Sequence, residues 1–272
     1  MSAPSDQSLQ ILRARGVVEP VEIAVLLGFG LGGVAEGISG GITVPYAELP
    51  GFPVIDEPGQ SARLTVGRLE GVNVCCLQGQ AHFYDSGDPA CMSDALALAR
   101  ALGAKQLLIF ASAGSAKPDL YPGTVALVND HINLTGLNPL IGRIDEHAFF
   151  SLNEAYDPRM HRRLKRAATM SGVATHEGVF MWLAGPTFAT PAESRIARTL
   201  GADLVGPAVV PEIILARRIG LRAAAVIVVS HFSAGVQGAD PNSIECQQQT
   251  LAGNIALRRL LRGYLKTTET VV

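Results

Sequence analysis

Side chains that could take part in chemistry follow several of the apolar segments that the sequence predicts as buried strands. One loop carries His82 and Tyr84 two residues apart, and Ser230 and His231 end another segment. Imidazole and phenol groups can move protons, and ligands collect at the carboxyl ends of strands in α/β sheets. Five segment ends qualify: 28–33, 79–84, 111–114, 184–189 and 230–231. They predict a small-molecule site at one edge of a sheet.

The first of these ends has the spacing of a dinucleotide-binding turn. Gly28, Gly30 and Gly33 match GxGxxG directly after a strand. The fingerprint requires a second strand ending in an acidic residue about 20 positions later. Proline occurs at 45, 50 and 53 instead, which argues against a central strand there and therefore against a nicotinamide cofactor. A glycine turn that leads into a helix could still offer backbone N–H groups to an anion.

The stretch 107–140 joins a buried strand to a small-residue segment and a polar cluster. Residues 107–110 predict a strand, 111–116 a turn whose backbone could approach a ligand, and 129–131 (Asn-Asp-His) the polar cluster. We interpret His131 beside Asp130 as a structural pair.

Alternating strands and helices predict the elements that hold these residues. We expect strands at 21–27, 63–69, 72–78, 107–110, 179–184 and 222–229, and helices at 90–103, 157–171, 191–200, 211–219 and 241–266. The pair 63–69 and 72–78 predicts a hairpin. The fold class is therefore α/β: one domain, 1–272, with a mixed twisted central sheet flanked by helices on both faces. Residues 1–15 and 267–272 are expected to be loose.

Composition excludes several classes of partner. The chain has 272 residues, 22 basic and 24 acidic side chains and a net charge of -2, so we expect no nucleic-acid face and no membrane patch. A signal peptide and an apolar stretch of spanning length are both lacking, which favours the cytoplasm. The four cysteines, 75, 76, 91 and 246, have no zinc-type spacing and are expected to be free thiols.

Four long motifs in register carry a resemblance to a known family. They are VNDHINLTGLNPL at 128–140, NEAYDPRM at 153–160, EGVFMWLAGPTFATPAESR at 177–195 and LGADLVGPAVVPEIILAR at 200–217. The chain resembles the trimeric purine nucleoside phosphorylases and methylthioadenosine phosphorylases, and HINLTGLNPL brings it closer to the first branch. The resemblance implies a homotrimer that uses no metal or organic cofactor and displaces a purine from a nucleoside with inorganic phosphate.

Some positions keep the residue types that the resemblance implies for the site. His82 and Tyr84 match the loop histidine and tyrosine beside phosphate and ribose, and Phe149 matches a phenylalanine that crosses from a neighbouring subunit to cover the ribose. Phe188 matches the aromatic that stacks on the base, and Phe180 replaces a tyrosine. The backbone at Ser112 and Ala113 also matches.

Other positions depart from the family. In the phosphate cradle, Phe29 replaces a serine, Gln60 a histidine, Gln80 an arginine and Ala208 a serine. Losing the arginine removes a charge-assisted contact of roughly 1.5–3 kcal/mol. Around the base and sugar, the changes are Ala189 for a glutamate, His231 for an asparagine, Pro207 for a methionine and Gln249 for a histidine.

These departures leave several functions open. The chain could bind a nucleoside or similar heterocycle and break its glycosidic bond without the usual phosphate site, with His231 as the acid and His82 as the second catalytic residue. The scaffold could instead serve an isomerisation, elimination or cyclisation in specialised metabolism. Ordinary phosphorolysis in a rebuilt site and a noncatalytic binding protein are the remaining alternatives.

Overall fold

The computed structural model describes residues 3–56, 60–143, 149–237 and 241–267. Its helices are α1 Pro4–Ala14, α2 Phe83–Ser86, α3 Ser93–Ala101, α4 Pro158–Met170, α5 Pro191–Thr199, α6 Val210–Arg218 and α7 Ile244–Lys266. Its strands are β1 Ile23–Leu27, β2 Ser39–Pro45, β3 Arg63–Leu69, β4 Val72–Gln78, β5 Gln106–Ser115, β6 Val125–Asn133, β7 Thr175–Trp182, β8 Leu204–Gly206 and β9 Arg222–Phe232.

The nine strands form one mixed sheet, which confirms the predicted fold class. Their order is β2-β3-β4-β1-β5-β8-β7-β6-β9, and β5 also pairs with β9, so the second half of the sheet closes on itself. The predicted hairpin is present between β3 and β4, because Glu70 and Gly71 both take the positive φ that a tight two-residue turn needs. The proline-containing β2 lies at the open edge.

Strand β5 is longer than the sequence predicts. Residues 111–115 were expected in a turn, but they continue the strand because β9 pairs with β5 from Gln106 to Ser115. A register shift between Ala113 and Gly114 interrupts this ladder near its end. The small side chains of residues 111–114 therefore belong to a rigid strand end and not to a turn.

Helices cover both faces of the sheet, as expected. Along β1, Ala24 and Leu26 face one apolar core and Ile23, Val25 and Leu27 face the other. Helices α1, α3 and α6 pack on the first face, and α4 and α7 pack on the second. This two-sided burial explains the continuous apolar runs in β1, β5 and β9.

The chain termini differ from the prediction. Residues 1–15 were expected to be loose, but residues 4–14 form α1, whose Leu12 is fully buried in the contact with α3. At the other end, α7 begins at Ile244, where the Ser243 hydroxyl accepts from the Cys246 N–H. The predicted start at 241 was therefore too early, and residues 268–272 lie outside the described residues.

Helix α5 starts as its sequence predicts. The Thr190 hydroxyl accepts from the Glu193 N–H at 3.3 Å, and the Glu193 carboxylate accepts from the Thr190 N–H at 2.7 Å. These two hydrogen bonds form a capping box, in which Glu193 caps the start of the helix. None of the helices in the described ranges is long and apolar enough to cross a membrane.

Gly253 allows α7 to lie directly on the sheet. A Cβ at this position would sit 2.0 Å from Val228 Cγ2 and 3.1 Å from the Gly123 carbonyl oxygen. We expect Gly253→Ala to destabilise the protein by about 1–3 kcal/mol in urea unfolding, because the overlap forces the helix outward. The double variant Gly253→Ala/Val228→Ala should recover part of this loss, and equal stability of Gly253→Ala and the parent would contradict the packing argument.

Candidate functional site

A cavity of about 1200 Å³ opens where β1, β5 and β9 end. Strand β5 supplies residues 111–114, β9 supplies 230–232, and the segments after β4, β7 and β8 supply 80–84, 183–189 and 207–208. The sheet closes on itself at this place, so strand ends that are far apart in sequence meet around one space. This arrangement places the predicted segment ends around one cavity.

Eleven of the fifteen residues that the sequence singled out line this cavity. They are Phe29, Gln80, His82, Tyr84, Ser112, Ala113, Phe188, Ala189, Pro207, Ala208 and His231. Their roles toward a ligand stay predictions. The structure shows that all eleven lie around the same cavity.

The other four lie elsewhere. Gln60 sits behind the wall, where its side chain exchanges two hydrogen bonds with the backbone of Gln80 at 2.8 and 3.2 Å. Phe180 is fully buried against Gly206 and is not among the described residues that line the cavity, so its role in the base shelf stays a prediction. Gln249 lines a separate, smaller cavity of about 470 Å³ beside Gly123, and its place near the sugar stays a prediction. Phe149 is 93% exposed, and its contact with a neighbouring subunit stays a prediction.

The described residues of the cavity wall carry no full formal charge. Among the described residues that line it, there is no aspartate, glutamate, lysine or arginine. Its polar groups are hydroxyls, side-chain amides, two imidazoles and backbone atoms. Such a wall suits a neutral ligand, because a buried anion without a counter-charge costs several kcal/mol.

Gln80 separates the cavity from a buried carboxyl group. Gln80 has no exposed surface, and its Oε1 lies close to Gly28, where a Cβ would meet it at 3.1 Å. Behind it, Glu212 in the first turn of α6 is only 2% exposed. Burial raises the pKa of Glu212 to about 7, although the neighbouring Gln80 side chain and the N–H groups of the helix start oppose the shift.

His82 and Tyr84 form a stacked pair on one wall. Their rings lie 4.9 Å apart at an angle of 9°. The backbone N–H of His82 donates to Asp85 Oδ2 at 2.7 Å, which fixes the start of the short helix α2. Gly185 lets the Tyr84 ring approach the opposite wall, since a Cβ there would lie 2.8 Å from that ring. The pair is therefore held in place before any ligand binds.

His231 and Phe188 form the opposite wall. Their rings meet edge to face, 5.0 Å apart at 74°. His231 is 9% exposed, and its Nδ1 lies 2.9 Å from Ser230 Oγ. Burial lowers the pKa of His231 to about 4. The imidazole is therefore neutral at pH 7, and its role as a catalytic acid stays a prediction.

The sequence analysis missed the contribution of helix α7. Cys246, Thr250 and Asn254 line the cavity at four-residue spacing, so they lie on one face of the helix. Asn254 donates from Nδ2 to the Gly30 carbonyl at 3.1 Å and ties the helix to the glycine turn. In the sequence, the four-residue spacing of these short side chains was the pattern that could have indicated this helix face.

The glycine turn does not lead into an α-helix. Residues 32–35 form a single 3₁₀ turn, and β2 follows at Ser39. The predicted anion site at a helix start is therefore not built here. Gly30 takes a φ of +72°, which a side chain would disfavour.

Burial of neutral His231 should make stability depend on pH. Because the folded-state pKa is lower than the unfolded value, the unfolded state takes up more protons between about pH 6.5 and 4, and stability falls as pH falls through that range. We expect the parent chain to lose about 2 kcal/mol more than His231→Asn between pH 7 and 5, measured by urea unfolding at each pH. Parallel stability profiles for the two proteins would show that His231 is not buried in the neutral form.

Comparison with known proteins agrees with this architecture. The family model described as the phosphorylase superfamily matches residues 22–266. The chain is 36% identical to purine nucleoside phosphorylase 1 of Geobacillus stearothermophilus over 85% of both chains. It is 32% identical to purine nucleoside phosphorylase 1 of Bacillus subtilis over 93% of this chain and 92% of that one.

Solved structures give the same result. Schistosoma mansoni purine nucleoside phosphorylase in complex with adenosine superimposes with a TM-score of 0.86 at 27% identity, covering 98% of this chain and 97% of that one. The same enzyme in complex with inosine gives a TM-score of 0.87 with the same identity and coverage. The chain therefore belongs to the phosphorylase superfamily, within the purine nucleoside phosphorylase family.

Proposed function

We propose that the chain is an enzyme that binds a neutral nucleoside or similar heterocycle in the large cavity and breaks its glycosidic bond without phosphate as the acceptor. The observation that carries this proposal is the uncharged wall of the described part of the cavity. Water is the acceptor that such a wall admits most readily.

Phe188 and His231 support a flat, uncharged base at one end. Phe188 keeps 54% of its surface exposed while its neighbour His231 is buried, so an aromatic face remains available to a ligand. Stacking on such a face is favourable for any planar heterocycle. With Ala189 in the cavity wall, no carboxylate at that position selects a purine.

The stacked pair of His82 and Tyr84 supports a sugar on the other wall. Both side chains line the cavity and can exchange hydrogen bonds with hydroxyl groups. Their fixed geometry reduces the entropy lost when a sugar binds between them.

Gln80 and Phe29 argue against a bound phosphate dianion. Gln80 supplies an amide and no positive charge, and the buried carboxyl group of Glu212 lies behind it. A dianion at this wall would therefore face an acidic group with no lysine or arginine among the described lining residues to balance it. Phe29 adds an aromatic ring where the wall would need an oxygen or nitrogen donor.

The proposed reaction is a hydrolysis. A water oxygen forms a bond to the anomeric carbon, and the bond from that carbon to the base nitrogen breaks. The water gives one proton to the departing base and keeps the other in the new hydroxyl group, so the products are free sugar and free base.

Ordinary phosphorolysis is the second candidate, and the similarity to proteins named purine nucleoside phosphorylase favours it. In that reaction the sugar leaves as its 1-phosphate. Chromatography of the sugar product, formed from inosine or adenosine in phosphate buffer, separates the two candidates. Free ribose is the expected product, ribose 1-phosphate would contradict the proposal, and no cleavage would favour another reaction on this scaffold or a binding protein.

We also propose a homotrimer that works in the cytoplasm. Leu134, Ile141 and Phe149 are each at least 65% exposed on the connection between β6 and α4, and a partner subunit would cover them. The four cysteines are free thiols, which suits a reducing compartment. Light scattering of the purified chain tests the trimer directly.

A further inference from the structure

Ser230 contacts both a backbone carbonyl group and the imidazole of its neighbour His231. Its Oγ lies 3.2 Å from the Ala113 carbonyl oxygen and 2.9 Å from His231 Nδ1. A carbonyl oxygen can only accept a hydrogen bond, and a hydroxyl group has one proton to donate. When that proton goes to Ala113, the hydroxyl oxygen is left to accept from Nδ1. His231 Nδ1 then carries the ring proton.

A neutral imidazole has one N–H group, so its other nitrogen is an acceptor. With Nδ1 protonated, His231 Nε2 keeps its lone pair. No hydrogen bond joins Nε2 to any residue in the described ranges, although the ring is nine-tenths buried and belongs to the cavity wall. An acceptor in the cavity wall that has no protein partner is available to a donor group of a ligand or of water.

Gly114 makes room for the unpaired nitrogen. A Cβ on Gly114 would lie 2.7 Å from His231 Nε2 and 3.1 Å from Cε1. The register shift between Ala113 and Gly114 occurs at the same place in β5. Phe188 covers another part of the ring edge to face, so the position of the imidazole is set from three sides.

We propose that Ser230 is a positioning residue that holds His231 in the Nδ1-protonated form, so that Nε2 accepts a hydrogen bond from an N–H or amino group of the ligand. This inference rests on the proposed function for the nature of the ligand, but the protonation of the ring does not depend on it. The ligand class is a neutral heterocycle that presents a donor, not a lone pair, to this wall.

The protonation is tested without any ligand. Long-range ¹H–¹⁵N correlation spectra at pH 7 distinguish a protonated from a bare ring nitrogen, and the signals of His231 are those absent from His231→Asn. We expect protonated Nδ1 in the parent chain and in Ser230→Thr, and a shift toward protonated Nε2 in Ser230→Ala. Ser233→Ala is a matched control, since its buried hydroxyl contacts Ser194 and not the imidazole. A protonated Nε2 in the parent chain would overturn the proposal even if the variants fail to fold.

The ligand class is tested with two pairs of nucleosides that differ by one donor. Calorimetry compares adenosine with purine riboside, and inosine with 1-methylinosine. In the parent chain, the member that lacks the donor should bind about tenfold more weakly in at least one pair, and Ser230→Ala should reduce this difference. Equal binding within both pairs would overturn the ligand assignment. Failure of all four to bind would overturn both this assignment and the proposed function, while the spectra decide the protonation separately.

Discussion

Inorganic phosphate should bind the double variant Phe29→Ser/Gln80→Arg at least about tenfold more tightly than it binds the parent chain. The arginine would offer charge-assisted hydrogen bonds worth roughly 1.5–3 kcal/mol each, and the serine would add a hydroxyl where Phe29 now lines the cavity. The guanidinium can be accommodated at this buried position because the Glu212 carboxyl group lies behind Gln80 and would pair with it. Isothermal titration calorimetry with phosphate measures the change.

The matched control is Phe29→Ser/Gln80→Met, which opens the same space without adding a charge. Its phosphate affinity should equal that of the parent chain. If the arginine variant folds, as judged by circular dichroism, and binds phosphate no better than this control, then Gln80 does not stand where a dianion would bind.

Replacing Glu212 by glutamine should stabilise the protein at alkaline pH. The folded-state pKa of Glu212, about 7, is higher than that of a free glutamate, so the folded protein binds the proton more tightly than the unfolded chain does. The contribution of Glu212 to stability is therefore full below about pH 4.5 and is lost as pH rises through about 7. Relative to the parent chain, Glu212→Gln should gain about 2–3 kcal/mol between pH 5 and pH 8 in urea unfolding.

Glu245→Gln provides the control for this measurement. Glu245 also lies in the first turn of a helix, α7, but it is exposed. Its replacement removes one exposed carboxylate and leaves the buried Glu212 in place, so its pH profile serves as the reference. A Glu212→Gln profile that runs parallel to the parent's would mean that the carboxyl group ionises as readily in the folded protein as in the unfolded chain.

Elements whose sequence signals are local could be predicted closely. The hairpin of β3 and β4 follows from Glu70-Gly71 between two alternating runs, and α5 follows from its capping box. Residues 111–115 of β5 were missed because Ala, Ser and Gly have little strand preference of their own. Their strand conformation comes from β9, more than 100 residues away in sequence.

The site shows the same division between local and distant effects. Strand ends and the resemblance pointed to eleven residues that line the cavity, whereas Phe180 lies in the buried core and Gln249 lines a second cavity. The position of a residue in a motif does not determine whether its side chain points into the cavity or away from it. The sequence alone could not predict that His231 is neutral, because its pKa is lowered by burial under segments that are distant along the chain.

The phosphate dependence of base release tests the central claim most directly. Purine nucleosides are incubated with the purified chain over a series of phosphate concentrations, at constant ionic strength, and the free base is measured. We predict release whose rate does not change with phosphate concentration, because the described residues of the cavity wall offer no positive charge to a dianion. Release that is absent without phosphate and saturates as phosphate is added would contradict this account and establish phosphorolysis.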